Sequence, residues 1–329
     1  MKKTFTELNK IPYLTWNWLK MNRASLEVDV ADAAPLSDGI HVVNKNENVS
    51  IETDGGETKI SAKGIAGEPV LVHFDFADGK YYSHVQAVTA EENSEVTVIL
   101  DYSSLPKSAG LSEIRTKICA KPYSKVHLVK AQLLGEKYVQ VDDTYSVLED
   151  GALVDVVQIE LGGGKVYAQV VSDLGGAKSK FTSETAFVAD KDQILDMNYV
   201  VNLLASESET KMGVKGVVSG TAQKTYKGTM NFKRGCHGAK GDEQEETLLM
   251  SNSAVNKSLP MILCDEEDVA GNHGATLGRV GADELFYMES RGIGEEEAKR
   301  MMMKAKVMSA ASLIPDEELK AKIEDFIER

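Results

Sequence analysis

Residues 149–176 read Glu-Asp-Gly-Ala-Leu-Val-Asp-Val-Val-Gln-Ile-Glu-Leu-Gly-Gly-Gly-Lys-Val-Tyr-Ala-Gln-Val-Val-Ser-Asp-Leu-Gly-Gly. Turn signals fall at Asp150-Gly151, Gly162–Gly164 and Gly175-Gly176, and the runs between them are rich in Val, Ile and Leu. That is the texture of short strands closed by glycine turns about a dozen residues apart, a spacing that sandwiches, barrels and stacked coils all share.

The pattern extends in both directions. Period-two strands read at Asn48–Thr53, Glu95–Leu100, Lys125–Lys130 and Ser179–Glu184, with further turns at Asp54-Gly55-Gly56 and Ala77-Asp78-Gly79. No amphipathic helix is legible from about 112 to 250. So long a β-region must close, stack or coil, because an open sheet leaves unpaired edges. The Cys…Trp…Cys spacing of an immunoglobulin sandwich is absent, and no propeller blade motif recurs. A stacked β-solenoid therefore stands among the remaining options.

The flanks differ. Thr6–Leu26, with Trp16 and Trp18 close together, reads as a helical lead. At the other end, Glu295, Glu296 and Glu297 place negative charge where a helix start favours it. Ala298, Met301, Met302, Ala305 and Met308 then recur at three- and four-residue steps. A second helix is expected with Pro315 in its first turn and one apolar face of Leu319, Ile323, Phe326 and Ile327. The expected organisation is a helical lead over 1–34, a β-core over 35–280 and a helical region over 281–329. The C-terminal helices could cap the β-region or dock another protein, and the methionine run 301–303 suits an adaptable interface.

Composition narrows the function. The 329 residues carry 37 Lys+Arg against 51 Asp+Glu, a formal charge of −14, which argues against a nucleic-acid groove or a basic membrane patch. No stretch approaches a membrane span, and the start of the sequence, with two lysines and no apolar run behind them, does not read as a signal peptide. Three cysteines without CxxC spacing suit a reducing cytoplasm. No GxxxxGK[ST], GxGxxG, GxSxG, HExxH or EF-hand loop is present, so no nucleotide is expected on this chain.

Six histidines remain, of which His73, His84 and His127 lie in strand-like runs and read as sheet residues. Two places combine thiol and imidazole: Cys236-His237 between glycines, and the run from Cys264 through Asp265, Glu266, Glu267 and Asp268 to His273. Such groups ligate iron, zinc and iron–sulfur clusters, but nine positions between Cys264 and His273 match no zinc-finger spacing. A buried strand cysteine and a solvated acidic turn are the plainer readings.

The stretch from His273, HGATLGRVGADELFYMESRGI, followed by GEEEAKRMM, resembles the C-terminal signature of the SufB/SufD family, scaffold subunits of the SUF iron–sulfur cluster assembly system. Weaker resemblance covers TLLMSNSAVNKSLPMILC, the strand Lys227–Met230 and the early IPYLTWNWLK. The resemblance implies a right-handed parallel β-helix core flanked by helical parts. It implies docking of the ABC-type ATPase SufC by the C-terminal helices, with Leu285, Phe286, Tyr287, Ser290, Arg291, Gly292, Ile293, Ala298 and Met302 as the contact residues. It also implies pairing with a second SufB/SufD-type subunit through the β-helices and a transient iron–sulfur cluster near that interface.

The histidine of the HGAT signature, a cluster-ligand candidate in SufD-type subunits, matches His273. Gly274 stands where SufB-type subunits carry glutamate, and Ala254 where they carry their interface cysteine, so this site resembles SufD-type subunits more. Cys264, with Glu266 or Glu267, completes the candidate ligand set. The expected protein is a cytoplasmic, non-catalytic scaffold, with ATP hydrolysed by its partner. Its rivals are a purely structural subunit without ligands, a carbohydrate-active β-helix, and a metal enzyme using Cys236 and His237. The absent signal and an aromatic content of only 6% count against the carbohydrate reading.

Overall fold

The runs between the glycine turns do form strands, but in the core each strand hydrogen-bonds to the ones two before and two after it, not to its successor. The computed structural model describes residues 2–15, 17–30 and 39–329, so Trp16 and the boundary at 34/35 lie outside the described residues. After the leading strands β1 (Lys2–Leu8) and β2 (Ala24–Asp29) come β3 (Ile40–Val43), β4 (Val49–Asp54), β5 (Glu57–Ala62), β6 (Val70–Phe76) and β7 (Lys80–Ala90). The next are β8 (Glu95–Ser104), β9 (Ala109–Ala120), β10 (Lys125–Leu133), β11 (Lys137–Leu148), β12 (Leu153–Glu160) and β13 (Lys165–Leu174). Then follow β14 (Lys180–Ala189), β15 (Ile194–Leu203), β16 (Glu209–Val218), β17 (Gln223–Phe232), β18 (Ala239–Leu249), β19 (Val255–Cys264) and β20 (Val269–Arg279). Helices α1 (Ala282–Ser290), α2 (Glu295–Ala311) and α3 (Glu317–Glu328) close the chain.

From β5 onward the even strands form one parallel sheet and the odd strands another, each nine-stranded once β3 and β4 join at one end. The chain thus alternates between two facing sheets as a β-solenoid. Each coil advances by about thirty residues, as the pairs Lys125↔Glu95 and Lys180↔Leu153 show. The first coil is finished by antiparallel pairing, β3 on β6 and β4 on β5, which covers that edge. At the other end no described strand follows β19 and β20.

The corners repeat a local device. Asn93, Tyr123, Gly151, Lys178, Glu207 and Gly238 each have positive φ, and each donates its N–H to the corner of the next coil. A small buried residue follows each: Ser94, Ser124, Ala152, Ser179, Ser208 and Ala239. The hydroxyls of Ser124, Ser179 and Ser208 donate back to carbonyls three residues earlier, satisfying the turn locally.

Inward residues such as Val126, Leu128, Val154, Val156, Phe181 and Phe187 fill the space between the sheets. Several outward residues are apolar as well and need cover. On the even sheet, Ile99, Val129, Leu133, Val157 and Ile159 pack under Val307, Ala310, Ile314, Leu319 and Ile323 of the C-terminal helical region. Lys322 adds an ion pair to Asp101 at 2.6 Å. On the odd sheet, Leu111, Val139, Val141 and Tyr167 are covered by Phe5, Leu26, Val28 and Val30.

The N-terminal segment therefore corrects the expected helical lead: β1 and β2 pair antiparallel. Phe5, Leu26 and Val28 gain burial only if laid flat on the odd sheet, and the connection contains Pro12 and positive-φ residues Asn9 and Lys20, which no continuous helix accommodates. The connection crosses to β19, where Ile11 and Met21 pack on Leu259 and Met261. Asn9 Nδ2 donates to Asp196 at 2.7 Å, and Lys227 donates to the Asn9 carbonyl at 2.9 Å.

Both expected C-terminal helices form, with two corrections. Asp316, not Pro315, starts α3: its carboxylate caps Leu319 N–H at 2.7 Å. In α2 the buried face is Ala298, Val307, Ala310 and Ala311, while Met301 is 49% exposed. No helix among the described residues is long and apolar enough to cross a membrane.

Candidate functional site at the open end of the solenoid

The unfinished end of the solenoid gathers the sequence candidates. Phe232↔Cys264 are register partners, so the corner holding Cys236 stacks directly on the corner after Cys264. Gly235 N–H donates to Glu266 Oε2 at 2.9 Å, and Glu267 N–H to Glu266 Oε1 at 3.1 Å. These backbone donors, Gly235 first, hold the Glu266 carboxyl below the usual range. One oxygen thus fastens the two corners together, and the other is held within its own turn.

Cys264 is exposed, and its thiol donates to the Glu266 carbonyl at 3.0 Å. It opens onto a groove of about 520 Å³ lined by Arg234, Cys264, Asp265, Glu266 and Glu267. Cys236 is fully buried, and burial, with Glu266 nearby, raises its thiol pKa. It behaves as a small core residue, and His237 points to solvent from the same corner.

His273 lies four residues into β20, in register with Glu243 of β18. Four residues of strand span roughly 13 Å, so His273 and Cys264 stand apart along the coil. Among the described residues no group of three or more His, Cys, Asp or Glu converges as a metal site. The chain thus brings the two Cys-bearing corners together, and places His273 separately, on the face of β20 that continues the interior.

That interior is more polar here than the sequence patterns reveal. Lys224 is fully buried and ion-paired with Glu245, which also accepts from Ser258 at 2.7 Å. Burial lowers the Lys224 pKa, and Glu245 opposes it. Glu243 is 1% exposed, and burial pushes its carboxyl up to about 7, tempered by the Tyr226 phenol beside it. In sequence the run Gly241–Thr247, with Glu243, Glu245 and Glu246 together, reads as a solvated strand, so no local signal marks Glu243 as buried.

The edges of the last coil also differ. Val255 N–H bonds to Ala222 O just before β17 and Asp265 N–H to Phe232 O at its end, so the peptide groups of the odd residues of β19 point to β17 and those of the even ones to the free edge. Pro260, which has no N–H, is therefore tolerated because its missing donor faces the free edge. On β20, Val280 N–H bonds to Leu249, so the odd residues, His273 among them, present complete peptide groups at the free edge.

The SRGI stretch has a local explanation. Ile293 N–H bonds to Met288 O at 3.1 Å and Gly292 N–H to Glu289 O at 2.9 Å, closing α1 with Gly292 at φ +86°. Ser290 Oγ donates to Tyr287 O, and the Arg291 guanidinium lies 5.4 Å from the Tyr287 ring centre. Phe286 and Tyr287 are 72% and 59% exposed, an apolar pair on the surface. Met302 is half-buried, and the side chain of Leu285 lies outside what the structure describes. Ala298, the remaining expected contact residue, is fully buried where α2 packs on the protein.

These features define a two-sheet parallel β-solenoid, open at its C-terminal end, with an exposed thiol and imidazole there and, beyond them, a helix that exposes an aromatic pair. Residues 76–306 match the family described as SUF system FeS cluster assembly, SufBD core domain, and the chain belongs to this family. It is similar to the iron-sulfur cluster assembly protein SufD of Bacillus subtilis (strain 168), with 25% identity over 264 residues, 80% of this chain and 60% of that protein. SufD of Escherichia coli (strain K12) is 24% identical over 263 residues, 79% of this chain and 60% of that protein. SufB of Bacillus subtilis is 25% identical over 158 residues, covering 48% of this chain and 34% of that protein. The chain thus spans about 60% of the length of these SufD relatives.

Proposed function

We propose that this chain is a cytoplasmic, non-catalytic scaffold subunit for iron–sulfur cluster assembly, paired with a second SufB/SufD-type subunit at the open end of its solenoid. In this reading β20 offers the pairing edge, since its peptide groups are complete where Pro260 interrupts β19. The nascent cluster is bound transiently near that junction, with His273 as the leading ligand and Cys264 beside Glu266 and Glu267 as a second contact. An ABC-type ATPase related to SufC docks on α1, against Phe286, Tyr287, Arg291 and Ile293, and hydrolyses the ATP.

The observation that carries this reading is the family match over 76–306, which contains both the open solenoid end and the exposed α1. Co-purification with a SufC-type ATPase tests it. Removing residues 285–329 would strip the cover from Ile99, Val129 and Ile159 and confuse docking with folding. The informative variants are Phe286→Glu and Tyr287→Ala, expected to lose the ATPase while keeping the wild-type unfolding midpoint. Retention of the complex by both would refute the docking role. For the ligands, His273→Ala and Cys264→Ser should each lower cluster yield in anaerobic reconstitution, and unchanged yields would refute them.

One specific observation favours a ligand-free variant of the same scaffold. The Glu266 carboxylate is occupied by two backbone donors, and among the described residues no three candidate ligands converge. In that reading the subunit contributes pairing and docking alone.

A further inference from the structure

Glu243 is a buried carboxylate with no ion pair or ordinary hydrogen bond of its own among the described residues. The adjacent acid Glu245 is taken by Lys224, Thr247 and Ser258. Neither Glu243 oxygen accepts a hydrogen bond of ordinary geometry, although the Tyr226 phenol lies close by. The carboxylate fills space that only glycine leaves open on the facing sheet: a Cβ on Gly228 would stand 1.9 Å from Glu243 Oε1. A buried carboxylate in a glycine-made recess, with the Tyr226 phenol and the Lys224 ammonium nearby but no hydrogen bond of ordinary geometry, is costly in its charged form unless something else meets it.

The neighbour on the open side is His273. It is the register partner of Glu243 on β20, one strand spacing of about 4.8 Å away. Both belong to the inward set: Leu249 and Ala239 share the parity of Glu243 in the core, and a Cβ on Gly271, two residues before His273, would meet Phe232. His273 is exposed, with no described strand beyond β20 to cover it. An oxygen donor and a nitrogen donor therefore sit side by side on one face, the first buried and unpaired, the second open to solvent.

We propose that Glu243 and His273 together form one half of a binding site for a divalent transition-metal ion, ferrous iron in the setting of cluster assembly. The inference rests on the scaffold reading for the identity of the metal and deepens it by adding a ligand inside the solenoid. Carboxylate with imidazole is a donor set that suits ferrous iron, and a cation between them satisfies the unpaired Glu243 oxygens. Water or the end of the paired subunit supplies the remaining coordination. Gly228 is then a shape requirement of the site, because any side chain there displaces the carboxylate.

The test is an anaerobic titration of the full chain with Co(II), followed by calorimetry and by the visible ligand-field absorption, on wild type, Glu243→Gln, Glu243→Asp, His273→Ala and, as a control, Glu92→Gln, an exposed carboxylate in a distant corner. Glu243→Gln and His273→Ala are expected to weaken Co(II) binding at least tenfold and to change the absorption, Glu243→Asp less so, and Glu92→Gln not at all. Thermal midpoints identify any variant that is merely misfolded, and the Asp variant then carries the comparison. Wild-type affinity in both Glu243 variants, with binding lost in His273→Ala, would overturn the role of Glu243 and leave the scaffold reading intact. No Co(II) bound by wild type, or binding indifferent to both residues, would overturn the inference together with the His273 assignment, while ATPase co-purification would still report on the scaffold itself.

Discussion

Lys130 Nζ and Asp142 Oδ2 meet at 2.5 Å between the two sheets, each side chain 2% exposed. Lys130 comes from β10 and Asp142 from β11, so the pair bridges the sheets across one coil, and Lys130 also donates to Thr144 at 2.8 Å. Burial raises the Asp142 carboxyl pKa and the Lys130 ammonium opposes that shift. Removing one partner strands the other charge, so Lys130→Met should cost about 3–5 kcal/mol in urea denaturation, and Lys130→Met with Asp142→Leu should recover much of it. A single variant costing under about 1 kcal/mol would show that the pair is not desolvated as described.

Glu160 faces the same interior, and burial pushes its carboxyl up to about 8. Its ordinary value is 4.5, so between these limits the folded chain keeps a proton that the unfolded chain releases. This group's contribution therefore falls as pH rises from about 5 to 8. Glu160→Gln should be more stable than wild type by about 1–3 kcal/mol at pH 8.5 and nearly equal to it at pH 5. Denaturant midpoints at the two values check this, and equal differences at both would contradict it.

His84 runs the other way. It is 2% exposed with neither ring nitrogen hydrogen-bonded, beside Phe74 at a ring separation of 5.7 Å. Burial lowers its pKa from 6.5 to about 4, so the imidazole stays neutral when folded and takes a proton only when unfolded. Stability is lost as pH falls from about 6.5 towards 4. His84→Leu should flatten this decline by about 2 kcal/mol, read from unfolding midpoints at pH 7 and pH 4.5.

The C-terminal helices are integral to the β-core. Ile323 is fully buried against the even sheet, and Ile323→Ala should cost about 2–4 kcal/mol and lower the midpoint of the whole chain in one transition. A separate early transition confined to helical signal would mean that α3 unfolds independently.

Gly292 holds φ +86° where α1 ends, a conformation that a Cβ penalises by about 1–2 kcal/mol. Gly292→Ala should loosen α1, raising amide exchange from Phe286 to Ile293 while the solenoid keeps its protection. Unaltered exchange there would show that the turn tolerates a side chain.

Much of this architecture was legible in sequence. The strand runs, the glycine turns and the apolar face of α3 were each local patterns, and each formed where read. The N-terminal hairpin was missed because Phe5, Leu26 and Val28 are explained only by Leu111, Val139 and Tyr167, residues far along the chain. Glu243 was missed for a related reason: a carboxylate in an alternating strand looks solvated until the opposite sheet closes over it.

The sequence by itself determined strand, turn and helix, because these depend on pleat and helix periodicity and on glycine at corners within a dozen residues or so. Through the HGAT…SRGI signature it also gave the resemblance that the family match bears out. Tertiary structure decided which strands are neighbours. From β5 onward successive strands lie on opposite sheets, and hydrogen-bond partners are about thirty residues apart, so no local pattern names the partner. The repeated corner, from Asn93-Ser94 and Tyr123-Ser124 to Lys178-Ser179 and Glu207-Ser208, was the one faint trace of that period. Coil closure also decided the site, since only stacking puts Glu243 beside His273 and fastens Gly235 to Glu266.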